Sequence, residues 1–267
     1  MSNEFAVQFT PQEMIVVAGA RTLENNKVVF AGTGLPMVAI TLAQLTHAPG
    51  IIPVFEAGAV GSLLTRGLPL SVGCSRTTSK AMYLQGLNSA FELAQRGYCD
   101  YGFIGGAEID MYGNLNSTMI GAFPEGYQKP ALRLPGSGGA SDMASSCERT
   151  IIIMVHEKRR FTEKLNYLTS PGYLDGSSGA RQRAGLVGQG PYRVITTRAV
   201  LGFDEETRRM KLLATLPGET VSSVQENTGF ELLVDPNVRE FEPPTQEEIR
   251  LIREEIDPHG YFIKRKA

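Results

Sequence analysis

Between Val28 and Glu56 the sequence reads VVFAGTGLPMVAITLAQLTHAPGIIPVFE, with no Asp, Glu, Lys or Arg before its last residue. Two short apolar runs, Val28 to Ala31 and Ile51 to Phe55, bracket a longer one that follows Gly32-Thr33-Gly34, with Pro36 placed to open a helix. Gly32, Gly34, Pro36, Gln44, His47, Pro49 and Gly50 interrupt the stretch too often for a bilayer span, which wants about 20 consecutive apolar residues. The segment therefore reads as buried strand, loop, helix, loop and strand. Strands that are apolar throughout, rather than alternating, belong to a parallel sheet covered on both faces.

The same rhythm extends outward. Upstream, Thr10-Pro11-Gln12-Glu13 is a capping box with proline at the first helical position, which predicts a helix to about Ala20. Downstream, Ser79 to Arg96 predicts a helix with Leu84, Leu87, Phe91 and Ala94 on its apolar face and Gly97 ending it. Tyr101 to Ile104, Thr150 to Val155 and Val194 to Thr197 read as further strands. The pattern then changes. Ala199 to Phe203 and Met210 to Ala214 flank the polar Asp204-Glu205-Glu206-Thr207 turn and predict an antiparallel hairpin. Thr245-Gln246-Glu247-Glu248 caps a last helix to Ile256, burying Ile249, Ile252 and Ile256. The glycine-rich Gly176 to Gly190 stretch carries arginines and reads as a loop. With no repeat and no long linker, residues 1–267 read as one α/β domain. Its expected architecture is a mainly parallel sheet with helices on both faces, followed by a C-terminal hairpin and helix.

Composition narrows the function. A charge sum of 26 − 28 = −2 leaves no basic footprint for nucleic acid. Hydrophobic content of 42% with 20% charged residues fits an ordered globular chain. Cys74, Cys99 and Cys147 are an odd set without metal spacing, as expected of reduced thiols in a reducing compartment. The first residues, Met-Ser-Asn-Glu-Phe, lack an apolar signal segment, so the expectation is a cytoplasmic protein without membrane attachment. The three histidines are too scattered for zinc, and no metal is expected.

In open parallel sheets, ligands bind beyond the carboxyl ends of the strands. Those ends offer Gly32-Thr33-Gly34, Glu56-Ala57-Gly58 and Gly105-Gly106-Ala107, while Gly136-Ser137-Gly138-Gly139-Ala140 can fold over the same edge. Glu56 is charged, follows an apolar strand and has small neighbours, so a large substrate can approach it as nucleophile or base. The alternative is a helix N-cap or a partner for Arg66 or Arg76. The glycines at 136, 138 and 139 let successive amides converge as an oxyanion hole or phosphate cradle, or simply form a tight turn. Asp110, Asn114 and Asn116 fit an Asx-rich turn or a substrate contact. His156-Glu157-Lys158-Arg159-Arg160 could meet phosphates or form a salt-bridged helix start. A Walker loop, a dinucleotide fingerprint and a Gly-x-Ser-x-Gly elbow in the required context are all absent.

Taken together and in order, several of these segments resemble a known family. They are Gly32-Thr33-Gly34-Leu35-Pro36, Glu56-Ala57-Gly58, Phe103-Ile104-Gly105-Gly106-Ala107, Gly113-Asn114-Leu115-Asn116-Ser117-Thr118 and Gly136-Ser137-Gly138-Gly139-Ala140. His156 to Phe161, Thr169-Ser170-Pro171-Gly172 and Glu226-Asn227-Thr228-Gly229-Phe230 continue the series. The chain resembles the B subunits of glutaconate CoA-transferases, within the class I CoA-transferases, nearly end to end. The resemblance implies that Glu56 is the catalytic glutamate, carrying coenzyme A as a thioester. It implies oxyanion or CoA contacts at Gly136, Gly138 and Gly139, and a substrate pocket drawing on Gly32, Gly34, Gly105, Gly106, Asn114 and Asn116. The residue after the glutamate is often serine in this family; here it is Ala57. A homologous A subunit is implied as partner, with an acyl-CoA and a carboxylic acid as substrates and no separate cofactor. Hydrolysis, ring-opening or decarboxylation on the same scaffold, and a purely structural subunit, are the competing expectations.

Overall fold

Thr10 opens the first helix as its spacing predicts. Its hydroxyl accepts the Glu13 N–H at 3.2 Å, and the Glu13 carboxylate accepts the Thr10 N–H at 2.7 Å, capping α1 (Pro11–Arg21). The computed structural model describes residues 4–64, 67–121 and 125–264. The chain groups into two units, Met1–Phe103 with Glu242–Ala267, and Ile104–Phe241.

In the first unit, β1 (Val28–Ala31) leads through Gly34 into α2 (Leu35–Leu45), and β2 (Ile52–Phe55) follows. Next come β3 (Ala59–Val60), β4 (Tyr83–Leu84), α3 (Leu87–Gln95) and β5 (Tyr101–Ile104). The sheet order is β5-β1-β2-β3-β4. β1 pairs in parallel with β2 and β5, and β3 and β4 add antiparallel. Successive residues of a strand face opposite ways, which fixes where the helices lie. Ala31, Pro53 and Phe55 line one apolar pocket with Met37 and Ile40 of α2. Phe30 points the other way and stacks on Phe91 of α3, ring centroids 5.2 Å apart. Helices thus cover both faces, as the apolar runs predict.

One expected helix is half a strand. Residues 79 to 86 do not join α3: Met82 N–H donates to Val60 O at 2.8 Å, and Tyr83 and Leu84 pair with β3 as the outermost strand of this order. Gly86 then caps α3. Leu84 and Leu87, expected on the apolar face, are exposed, whereas Ala90 and Ala94 are buried. Gly97, at φ +80°, ends the helix as expected.

The second unit begins with two short antiparallel pairs, β6 (Glu108–Ile109) with β7 (Leu115–Asn116) and β8 (Met119–Ile120) with β9 (Leu132–Arg133). After α4 (Ala140–Ser146), β10 (Arg149–Met154) pairs in parallel with β11 (Gly190–Thr196). Between them the glycine-rich loop holds one short helix, α5 (Ala180–Arg183). The hairpin forms as predicted: β12 (Ala199–Phe203) and β13 (Met210–Thr215) are antiparallel, with Phe203 opposite Met210. After α6 (Val221–Glu226), β14 (Leu233–Glu240) adds parallel to β13 at the sheet's end, where Pro236, lacking an N–H, is tolerated.

The chain returns to the first unit through α7 (Gln246–Arg250), capped by Thr245 and continued by a π-helical stretch, Leu251–Ile256. Ile249, Ile252 and Ile256 are buried, as their spacing requires. Arg253 reaches Glu13 of α1, Nε to carboxylate at 2.7 Å, and the Glu13 side chain is 0% exposed. That pair spans 240 residues of sequence. Among the described residues no helix is long and apolar enough to cross a membrane.

Candidate active site

Glu56 lies one residue beyond β2, in a turn closed by Gly58 N–H donating to Phe55 O at 2.8 Å. Gly58 holds φ +107°, a region L side chains rarely adopt, and a Cβ there would meet Gln85 O at 1.8 Å. Gln85 N–H in turn donates to Gly58 O at 3.0 Å. The turn is thus locked against the chain leaving β4, and only glycine fits the lock. The parallel register sets Ala31 opposite Phe55, so Gly32 and Glu56 leave neighbouring strands side by side.

The glutamate itself is half-buried, and Ala57 beside it is exposed. Among the described residues Glu56 makes no hydrogen bond and no ion pair, so it neither caps a helix nor pairs with Arg76. Arg66, the other partner considered, lies outside the described residues. A carboxylate held by the backbone alone keeps its lone pairs for a substrate.

Gly34, at φ +98°, caps α2 with no atom within 4 Å of a Cβ built on it, so its need is purely conformational. A Cβ on Gly32 would make only an ordinary 3.6 Å contact with Phe103 O. Thr33 Oγ1 accepts the Val72 N–H at 3.3 Å, tying this loop to residues 71–73.

The remaining residues singled out by sequence lie in the second unit. Gly105 and Gly106 follow β5 in tight surroundings. A Cβ would come within 3.1 Å of Ile153 O at Gly105 and of Leu115 at Gly106. Asn114 gives both amide protons, to Asp110 at 2.8 Å and Leu174 O at 2.7 Å, and accepts the N–H groups of Gly172 and Leu174. Asn116 gives both of its own, to Glu108 at 2.6 Å and Met119 O at 2.7 Å. Both amides are therefore spent on shaping these loops in this conformation. Asp110 accepts the Tyr112 N–H in an Asx turn, and burial, outweighing its three donors, raises its carboxyl above the ordinary value.

Gly136 and Gly138 take φ +95° and +48°, and a Cβ on either meets nothing within 4 Å. The loop is held at one end by Gly136 N–H to Ser117 O at 2.8 Å. The backbone N–H groups of Ser137, Gly138 and Gly139 have no partner among the described residues, although Gly139 is buried. Unpaired buried amides are rare in native proteins, and an anion is one partner that satisfies them.

His156 belongs to the core rather than to a phosphate site. Its ring stacks on Phe161 at 4.0 Å between centroids. Burial first, and the Arg198 charge second, lower its pKa to about 3. The ring is therefore neutral. Thr228 faces Nε2 at 3.0 Å and gives its own proton to Val224 O at 2.9 Å. Thr196 faces Nδ1 at 3.0 Å. Next to it, Glu157 is salt-bridged to Arg159 at 2.7 Å and Arg160 at 3.2 Å.

Two features escaped the sequence. Arg181 is buried with its guanidinium on four backbone carbonyls, those of Ala144, Pro171, Gly172 and Gly188. It lines a cavity of about 460 Å³ with Tyr173, Gln189 and Arg208. The Gln85 side-chain nitrogen is shielded from solvent and has no hydrogen-bond partner among the described residues. No pattern could mark Gln85, because the surrounding run reads as helix. Among the described residues no three His, Cys, Asp or Glu side chains gather as a metal-binding group.

The chain is similar to known proteins along nearly its whole length. The coenzyme A transferase family model matches residues 12–227. The B subunit of glutaconate CoA-transferase from Acidaminococcus fermentans is 42% identical over 265 residues, 96% of each chain. The B subunit of 3-oxoadipate CoA-transferase from Pseudomonas knackmussii is 36% identical over 246 residues, 92% of each. The crystal structure of glutaconate coenzyme A-transferase from Acidaminococcus fermentans superposes with a TM-score of 0.89 and 39% identity, covering 98% of this chain and 100% of that one.

Proposed function

The chain belongs to the coenzyme A transferase family, and from that premise we propose that it is the B-type subunit of a heteromeric acyl-CoA:carboxylate CoA-transferase with Glu56 as covalent nucleophile. The observation that carries this reading is the Glu56 carboxylate, unpaired among the described residues, on its glycine-locked turn at the end of β2.

The chemistry follows from the groups present. A Glu56 carboxylate oxygen attacks the thioester carbonyl, the C–S bond breaks, and coenzyme A leaves as thiolate, giving a mixed anhydride. The thiolate then attacks the glutamyl carbonyl. The anhydride C–O bond breaks, the donor acid departs as carboxylate, and a glutamyl-CoA thioester remains. An acceptor carboxylate attacks that thioester and again expels thiolate, which takes the acceptor's acyl carbon and restores the Glu56 carboxylate. Each attack builds a negative oxygen. The proposed donors are the amides of Gly138 and Gly139, on the loop begun by Gly136, which have no partner among the described residues; each such donor is worth about 3–4 kcal/mol of barrier. Thioester energy is conserved at every step, so coenzyme A enters as substrate and the cycle calls for no separate cofactor.

A homologous A-type subunit is the proposed partner, since the relatives are themselves named as B subunits. Gly32 and Gly34 leave room beside Glu56 for the acyl chain, and Gly105, Gly106, Asn114 and Asn116 shape the loops of the second unit. Cys74, Cys99 and Cys147 form no disulfide among the described residues, which suits a reducing compartment, and the cytoplasm is the proposed location.

Intact-protein mass spectrometry tests the assignment. Enzyme assembled with its A-type subunit and given acyl-CoA without acceptor should carry coenzyme A at Glu56 as a thioester. Glu56→Ala should assemble, gain no adduct and lose exchange between acids. Free acid released at undiminished rate without any acceptor would instead favour hydrolysis.

A further inference from the structure

With Glu56 taken as the acylated residue, as just proposed, we infer that the side-chain amide of Gln85 holds the carbonyl oxygen of the acylated glutamate. The β3–β4 ladder pairs Ala59 with Leu84 and Val60 with Tyr83. Continued by one step, as the Gln85 N–H to Gly58 O bond shows it to be, the ladder sets Gln85 opposite Gly58, two residues from Glu56. Glu56 itself lies in the turn beyond the ladder, on the segment that the Gln85 backbone holds. The Gln85 backbone carbonyl occupies the place a Gly58 side chain would take, so the two segments meet directly there. Two groups without a partner among the described residues therefore belong to the segments joined there: a shielded donor, the Gln85 nitrogen, and an acceptor, the Glu56 carboxylate.

Charge explains why they stay apart in the free enzyme. An ionised carboxylate keeps to its half-exposed, hydrated position rather than lose water for a single neutral amide. Acylation removes that charge. The neutral glutamyl carbonyl can turn inward and accept from Gln85, and the bond strengthens as the next attack drives negative charge onto that oxygen. No covalent bond of Gln85 changes. The amide orients the carbonyl for the acceptor acid and shields it from water.

The test uses enzyme assembled with its A-type subunit. Gln85→Leu removes the donor at similar volume and also removes an unsatisfied buried group, so its melting temperature should match or exceed that of the wild type. The turnover number should fall at least about 10-fold, with KM for acyl-CoA changed less than about threefold. Isotope-edited infrared spectra of the Glu56 thioester should show its carbonyl stretch at higher frequency in Gln85→Leu, which a structural role alone does not produce. Gln85→Met serves if the leucine variant fails to assemble. Loss of exchange in Glu56→Ala together with wild-type turnover and an unmoved carbonyl band in Gln85→Leu would overturn the Gln85 assignment alone. Exchange surviving in Glu56→Ala would overturn the underlying reading and this inference with it.

Discussion

Gly58→Ala tests whether Glu56 depends on the turn that carries it. A methyl at this position would sit 1.8 Å from Gln85 O, and real Cβ contacts essentially never fall below 3.0 Å. The turn and the β4 exit must therefore separate by at least about 1.2 Å. Alanine at φ +107° adds backbone strain of about 1–3 kcal/mol. A misplacement of about 1 Å typically lowers an oriented reaction by about 100-fold. The turnover number of acyl-CoA exchange in Gly58→Ala should accordingly fall by roughly that factor, while a thermal melt shows a folded protein of reduced stability. Gly97→Ala separates the two causes, because Gly97 has a similar φ, +80°, but open space around its Cβ position. It should show the strain in its melt with a much smaller loss of rate. Gly58→Ala turning over within threefold of the wild type would refute the reasoning.

Stability should depend on pH through His156. The folded ring protonates only near pH 3, whereas the unfolded chain takes up its proton near 6.5. Between those values the unfolded state binds the extra proton, so acidification favours unfolding by about 1.4 kcal/mol per pH unit, and above 6.5 the contribution is constant. Urea midpoints from pH 7 to pH 4.5 should fall more steeply for the wild type than for His156→Gln, and parallel profiles would count against the assignment. Arg253→Ala strands the Glu13 carboxylate, which is 0% exposed. Because Arg253 is itself partly exposed, the expected loss in chemical denaturation is about 2–3 kcal/mol, below that of a wholly buried pair. A change under about 0.5 kcal/mol would place the strength of that junction elsewhere.

The strands that carry Glu56 were legible because burial on two faces leaves an unbroken apolar run, as in VVFA and IIPVF. Thr10 and Thr245 announced their helices because a capping box is local chemistry. Residues 79–86 misled for the opposite reason. A two-residue strand has no period to detect, and Tyr83-Leu84 satisfies a helical spacing equally well until β3 claims it. Glu56 stood out as the first charge after an apolar strand. The lock between Gly58 and Gln85 depends on a contact across 27 residues that no local pattern records. The pairing of Glu13 with Arg253 is hidden further still, since either residue alone looks like an ordinary surface charge.

That pairing has a consequence for how the chain is made. Residues 104–241 are contiguous, so every contact within their unit is available once that stretch has been synthesised. The unit bearing Glu56 is not so placed: Glu13 of α1 lacks its counter-charge until Arg253 has been translated. The part of the molecule synthesised first is thus completed last, and nascent polypeptide exposes the apolar side of its opening helix for most of its synthesis.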